Sequence, residues 1–225
     1  MPALDQLTVV IPLAPGEQAW RALLPTLCAQ LPAGAEVVLV SAESEAQAPL
    51  PTYDFGPRLR VLNTKVGRGR QLNAGVEASQ QPWVWLLHAD SQLAANTLSA
   101  LAAAPEAEYL GYFSLKFHDG SGLSRLTEFG TWLRSRLLHL PFGDQGFLIR
   151  RDLFQRLGGF DARLSSGEDH ALVWAARRAG IRLRLLPATL YTSARKYRQQ
   201  GWWRTTRHHL YLTWQQARRF SRAAS

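Results

Sequence analysis

Apolar positions in the first half of the chain alternate between two periods. Leu7-Thr8-Val9-Val10-Ile11 is a short β-branched run closed by Pro12, the pattern of a strand covered on both faces. Residues 16–31 then set Ala19, Leu23, Leu24, Leu27 and Leu31 on one helical face. Glu36-Val37-Val38-Leu39-Val40 predicts a second buried strand and Arg60-Val61-Leu62 a third, across a loop carrying Pro49, Pro51 and Pro57. A helix over 69–79 follows, then a fourth strand, Trp83-Val84-Trp85-Leu86-Leu87, stopped by His88-Ala89-Asp90. Such alternation predicts βαβ units, hence an α/β domain with a mainly parallel central sheet flanked by helices. Ligands of these sheets bind beyond the carboxyl ends of the strands, which sets Pro12, Ser41, Asn63 and Asp90 along one edge.

The second half reads differently. Strands are expected over 109–117 and 146–149 with a helix over 124–138 between them. A short helix over 152–157, a longer one over 169–179 closed by Gly180, and a last strand over 183–187 complete the domain. Trp203, Leu210, Trp214 and Ala217 recur at helical spacing amid Arg204, Arg207, Arg218 and Arg219, predicting a basic amphipathic C-terminal extension. It reads either as a helix packed on the domain or as one resting on anionic lipid. No internal repeat or long linker divides the chain.

Composition narrows the class. A chain of 225 residues, 46% apolar and 19% charged, is globular rather than disordered. The lone cysteine, Cys28, excludes an internal disulfide and reads as a core residue in a reducing compartment. The net charge of +9 is uneven: from His170 onward there are twelve Lys or Arg and no Asp or Glu, which points to an anionic partner. No basic residue precedes the run 7–13, and no stretch has the length of a spanning helix, so a cytoplasmic protein is expected.

Three segments carry candidate chemistry. Val66-Gly67-Arg68-Gly69-Arg70-Gln71-Leu72-Asn73-Ala74-Gly75 leads from a strand into a helix, where free N–H groups and alternate arginines suit a phosphate. No Gly-Lys-Ser/Thr follows, so it is not a Walker loop. Asp90-Ser91 after the fourth strand is either a helix cap or a metal and phosphate ligand. Gly167-Glu168-Asp169-His170 opens a helix, where acids also interact favourably with the helix dipole.

In order along the chain, Ile11-Pro12, Gly67 to Gly75, His88-Ala89-Asp90, Gly143-Asp144-Gln145-Gly146, Arg150-Arg151, Gly158-Gly159-Phe160 and Glu168-Asp169 resemble the inverting family 2 glycosyltransferases of GT-A fold. Leu87 to Ser91, Gly143 to Gly146 and Thr192 to Tyr197 look more narrowly like a bacterial subgroup, the radical-SAM/selenodomain-associated transferases.

The resemblance implies a GT-A-type nucleotide-diphospho-sugar transferase fold in one domain over 1–225. About 1–100 would be the nucleotide-binding half, about 101–195 the acceptor half and about 196–225 the extension. It makes Asp90 the ligand of Mg²⁺ or Mn²⁺, bridging the donor diphosphate. Asp169 would be the general base and Glu168 its orienting neighbour. Pro12, Glu17, Glu43, Arg68, Arg70, Gln71, Asn73, His88, Arg195 and Lys196 would face the donor, Asp144 and Gln145 the acceptor. His88 stands where the family has an acid. Glu17 and Glu43 stand where it has Asn-Glu and Asp. A hydroxyl acceptor carried on a lipid would make contact between the C-terminal helix and an anionic membrane useful. Rival readings are a non-catalytic nucleotide-binding scaffold, a basic nucleic-acid-binding protein, and a nucleotidyltransferase. The last needs a Lys/Arg-bearing loop after the first strand, and Pro12 to Gly16 has none.

Overall fold

The computed structural model describes residues 3–42, 56–120, 122–164 and 166–222, with backbone alone at 217 and 219–222. Glu43 lies outside the described residues. The strands β1 (Leu7–Pro12), β2 (Glu36–Ala42), β3 (Arg58–Thr64) and β4 (Trp83–Leu86) come first, interleaved with helices α1 (Trp20–Gln30) and α2 (Arg68–Ala78). Then follow β5 (Gln92–Leu93), α3 (Thr97–Ala102), β6 (Tyr109–Phe117), α4 (Ser124–Leu137), β7 (Phe147–Arg150), α5 (Arg151–Arg156) and α6 (Glu168–Arg178). The chain closes with β8 (Arg182–Thr192), α7 (Arg195–Gln200) and α8 (Trp202–Arg222).

All eight strands join one sheet in the order β3-β2-β1-β4-β7-β6-β8-β5. The first half is parallel throughout, as the βαβ pattern predicts. Strand β7 enters antiparallel between β4 and β6, β6 and β8 run parallel, and β5 closes the sheet antiparallel to β8. Because β7 runs backwards, its beginning lies at the carboxyl end of β4: Phe147 opposes Leu86. The turn 143–145 before β7 therefore reaches the edge where His88-Ala89-Asp90 emerges.

The strands read as unbroken apolar runs because both faces are covered. Val9 and Ile11 join Leu23, Leu24, Leu27, Leu98 and Leu101 in one core, while Val10 turns to Leu72, Val76, Leu172 and Val173 in the other. Each fully buried Val, Leu or Ile contributes about 1.5–3 kcal/mol. Cys28 is part of the first core. Helix α2 approaches the sheet through Gly75, where a Cβ would lie 2.2 Å from Val10 Cγ1.

Two departures from the sequence pattern have local causes. Helix α1 starts at Trp20, not 16, because Glu17 first closes a turn: its N–H donates to Ala14 O at 2.9 Å and its Oε1 accepts the Ala19 N–H at 2.8 Å. Strand β8 runs through Pro187 to Thr192, because the register with β6 slips between Tyr112–Leu185 and Ser114–Thr189 and sets the proline in a bulge.

The opposite edge carries a buried polar cluster. Glu36, 0% exposed, accepts Thr8 Oγ1 at 3.0 Å and Arg60 Nη1 at 2.9 Å, and Ser79 Oγ donates to Thr8 Oγ1 at 2.7 Å. It joins β1, β2, β3 and the end of α2.

Candidate active site

Asp90 does not cap a helix. The chain passes from His88-Ala89-Asp90 into β5, and α3 begins after Asn96. Asp90 Oδ2 instead accepts Thr192 Oγ1 at 3.2 Å, tying the turn after β4 to the end of β8.

The start of α6 faces this turn. Arg68, the first residue of α2, donates from Nε to Glu168 Oε1 at 2.5 Å, stands 3.7 Å by Nη2 from Asp169 Oδ2 and 3.5 Å by Nη1 from His88 Nε2. Asp169 also accepts the Gly143 N–H on Oδ2 and the His170 N–H on Oδ1, both at 2.9 Å. Burial would raise its carboxyl, but Arg68 and these backbone donors overcome it and hold Asp169 below the usual carboxylate range. Burial, reinforced by the Arg68 charge, pushes His88 down, so its imidazole is neutral at pH 7. Asp144 goes the other way: burial pushes its carboxyl up against the pull of Arg134 and His88. Asp144 Oδ1 and Glu168 Oε2 are buried without a hydrogen-bond partner among the described residues.

Arg134, from α4, completes the surround. Its guanidinium lies 3.2 Å from the Phe142 ring centroid and reaches Gln145 Oε1 at 3.4 Å. Burial lowers it to about 10. The edge thus holds the Arg68 and Arg134 guanidiniums, a neutral imidazole and carboxylates with vacant lone pairs, chemistry suited to an anionic ligand and to moving a proton. Among the described residues no three His, Cys, Asp or Glu side chains converge as a metal-ligand set.

Several expected donor or acceptor residues are committed to the scaffold. Gln71, buried, donates to Leu13 O at 2.7 Å and Val40 O at 2.8 Å, holding together the ends of β1 and β2. Asn73 pairs both ways with the Phe160 backbone, at 2.8 and 2.9 Å. Gln145, also buried, donates to Phe113 O at 2.9 Å. Pro12 is a buried strand end. Arg70 is exposed beside the site. Arg195 reaches Glu17 Oε2 at 3.0 Å across the edge, and Lys196 Nζ stands 3.3 Å from His209 Nε2, on α8.

Asp119 escaped sequence reading. It accepts Ser193 Oγ at 2.8 Å and the Ala194 N–H at 2.6 Å, and pairs with Arg198, so that despite partial burial its carboxyl is held down to about 2. It fixes the segment carrying Arg195 and Lys196. Only the tertiary fold brings it there.

Residues 8–158 match the model of the family described as glycosyl transferase family 2. The chain belongs to glycosyl transferase family 2. Its sheet, curled and flanked by helices, has the GT-A fold. A search of curated proteins finds no match. Among solved structures, residues 1–349 of S. aureus TarS align with TM-score 0.62 and 20% identity over 83% of this chain and 60% of that one. The mannosyltransferase PcManGT from Pyrobaculum calidifontis, in complex with GDP-Man and Mn²⁺, aligns with TM-score 0.55 and 18% identity over 82% and 56%. GalNAc-T7 with UDP, GalNAc and Mn²⁺ gives 0.59 and 14% over 83% and 43%. This family 2 chain therefore spans about 60% or less of those structures.

Proposed function

We propose that this chain is an inverting glycosyltransferase, moving a sugar from a nucleotide-diphosphate donor to an acceptor hydroxyl with the help of a divalent cation. The observation that carries the reading is the gathering of Arg68, His88, Asp144, Glu168 and Asp169 at the carboxyl edge of the sheet in a family 2 chain.

Asp90 would hold the cation, Mg²⁺ or Mn²⁺. Its Oδ2 accepts Thr192 Oγ1 and keeps a second lone pair, and a hard ion that takes most of its oxygens from phosphate and water needs only one or two carboxylates. When bound, the cation neutralises charge on the leaving diphosphate. Arg68, with the N–H groups that open α2, binds the diphosphate side of the donor, and Glu168 holds Arg68 in place. Exposed Arg70 extends that charge. Arg195 and Lys196 approach the same phosphates once Arg195 leaves Glu17. Neutral His88 accepts a hydrogen bond from the donor or from Arg68.

Asp169 is ionised at neutral pH, and each of its oxygens has a lone pair beyond the N–H it already accepts. It takes the proton of the acceptor hydroxyl as that oxygen attacks the anomeric carbon, while the bond to the diphosphate breaks on the opposite face. Asp144 and Gln145 wall the acceptor side. A cleft of about 420 Å³ between β6, β8 and α4 shares Gln145 and offers the acceptor room.

On this reading about 1–100 is the nucleotide-binding half, about 101–195 the acceptor half, and about 196–225 a basic extension. The subgroup likeness of 87–91, 143–146 and 192–197 argues for a bacterial transferase, and a lipid-linked acceptor would make use of the basic extension. UDP and GDP sugars are the first donors to try. A thermal-shift panel of nucleotide sugars with and without Mn²⁺ is expected to show a metal-dependent rise in Tm, lost in Asp90→Ala. A flat panel overturns the reading.

A second reading, a nucleotide-binding scaffold without turnover, is favoured by His88 in the acid's place and by the N–H bonds already held by Asp169. Donor binding with no transfer to any acceptor and no donor hydrolysis would select it.

A further inference from the structure

Helix α4 is inside out. The residues it turns inward are polar: Ser124 and Ser135 are buried, and Thr127, Glu128, Thr131 and Arg134 are half-buried. Each of these contacts has a structural reason. Glu128 Oε1 accepts the Phe117 N–H at 2.8 Å, Thr127 Oγ1 accepts Trp202 Nε1 at 2.9 Å, Ser135 O accepts Tyr112 OH at 3.2 Å, and Arg134 reaches the candidate active site. Its large apolar side chains are exposed: Leu126 is 58% exposed, Phe129 60% and Leu137 64%, with Leu133 beside them, while Phe129 and Trp132, stacked on each other, also border the cleft against β6 and β8. Leu126, Phe129, Leu133 and Leu137 follow one helical stripe. An apolar stripe on the outside of a helix marks a surface that is covered in use.

Helix α8 adjoins it through Trp202 and continues the pattern, with Trp203, Leu210, Tyr211 and Trp214 all more than half exposed. Charge identifies what covers both. Arg125 and Arg136 on α4, and Arg204 and Arg207 on α8, are exposed. The one acid in either helix is Glu128, and its carboxylate is turned inward to the Phe117 N–H. The outer surface therefore presents aromatic and aliphatic groups with arginines and no negative charge. A second copy of so basic a face would be repelled. An anionic bilayer surface, apolar below its headgroups, matches it on both counts. No helix among the described residues is long and apolar enough to cross a membrane.

We propose that the outward face of α4, together with α8, is a docking surface for an anionic lipid bilayer, with Leu126, Phe129, Leu133 and Leu137 entering the headgroup boundary. The proposal rests on exposure and charge; because Phe129 also borders the cleft offered to the acceptor, its test reads vesicle binding alone and needs no sugar donor.

The full chain is sedimented with vesicles of phosphatidylcholine alone and with about one third phosphatidylglycerol. Binding is expected to the anionic vesicles, weakening with salt. The triple variant Leu126→Ser, Phe129→Ser, Leu133→Ser, altered only at exposed positions, is expected to keep its thermal midpoint and lose at least tenfold in partitioning although α8 is intact. Because Cys28 is buried, Phe129→Cys can be labelled selectively with an environment-sensitive fluorophore, whose emission should shift to the blue on vesicles. The proposal is overturned by a wild-type chain that stays in solution, by equal binding to neutral vesicles, by a triple variant that sediments like the wild type, or by an unshifted fluorophore. A concentration-dependent dimer that the triple variant abolishes, without vesicle binding, would also overturn it and make this face an interface between copies.

Discussion

The Gly143 N–H donates to Asp169 Oδ2 at 2.9 Å, which ties the turn ahead of β7 to the first turn of α6. A Cβ at Gly143 would lie 3.4 Å from Asp169 Oδ2 and 3.6 Å from His88 Nε2, which shows how closely the segments after β4, before β7 and at α6 converge. The candidate base is thus held by two backbone N–H groups, with the Arg68 guanidinium beside it.

Asp169→Asn preserves shape and removes the charge that takes up a proton. Donor binding, followed by calorimetry, is expected to stay within a few-fold of wild type, while single-turnover transfer falls by about 10²–10⁴. Retained turnover would remove Asp169 as the base.

Arg68→Met leaves the buried Glu168 without its ion pair. Arg68 is 40% exposed, so the cost is well below that of a fully buried pair, about 1–2 kcal/mol. Glu168→Gln in the same chain removes the stranded charge and is expected to recover part of the loss. A double-mutant cycle in urea reads the coupling, and strict additivity would deny it.

Acid should destabilise the fold before the carboxylates titrate. Burial lowers His170 to about 4 against the opposing pull of Asp169 and Gln216, lowers His209 to about 4, and lowers His88 with help from Arg68. In the unfolded chain these imidazoles take up protons near pH 6.5, so the unfolded state binds more protons as pH falls below that value. Stability is therefore complete above about pH 6.5 and lost toward pH 4, with His170 alone contributing on the order of 3 kcal/mol. Asp144, with its raised carboxyl, works in the opposite direction over the acid side of this window. The thermal midpoint measured from pH 7 to 4.5 should fall, and less steeply in His170→Gln.

Gly75→Ala tests the approach of α2 to the sheet. The new methyl would meet Val10 Cγ1 at 2.2 Å, and the expected cost is about 1–3 kcal/mol despite the higher helix propensity of alanine. An unchanged denaturation midpoint would show that α2 can withdraw freely.

The parallel half was legible because its strands are apolar on both faces and its helices keep one stripe. The expected strands 7–11, 36–40 and 83–87 fall on β1, β2 and β4, and the helix over 69–79 on α2. Strand β5 was not legible: two residues carry no period, and they pair only because β8 passes beside them. Helices α3 and α7, six residues each, escaped although α5, equally short, did not; α7 carries one apolar residue, Tyr197, and so has no stripe to read. Sequence order singled out Arg68, His88, Asp90, Asp144 and Glu168-Asp169, which the fold brings to one edge as a candidate site. It could not separate Arg68, which faces the carboxylates, from Gln71 and Asn73 in the same helix, which hold backbone. That distinction depends on which side of α2 meets β1, β2 and the 158–160 loop. The inverted α4 was hidden for the same reason: its period was evident, but not which face the domain would keep.

Arg134 turns toward the candidate site, whereas Phe129, on the same helix, is 60% exposed. A helix with its side chains is about 10–12 Å across. If α4 lies on lipid, a headgroup at the bilayer surface stands about one helix width from Asp144 and Asp169. An acceptor carried on a lipid would then have only to slide past the flank of α4, never leaving the membrane that holds its tail. Such a transferase would search for its substrate in two dimensions instead of three.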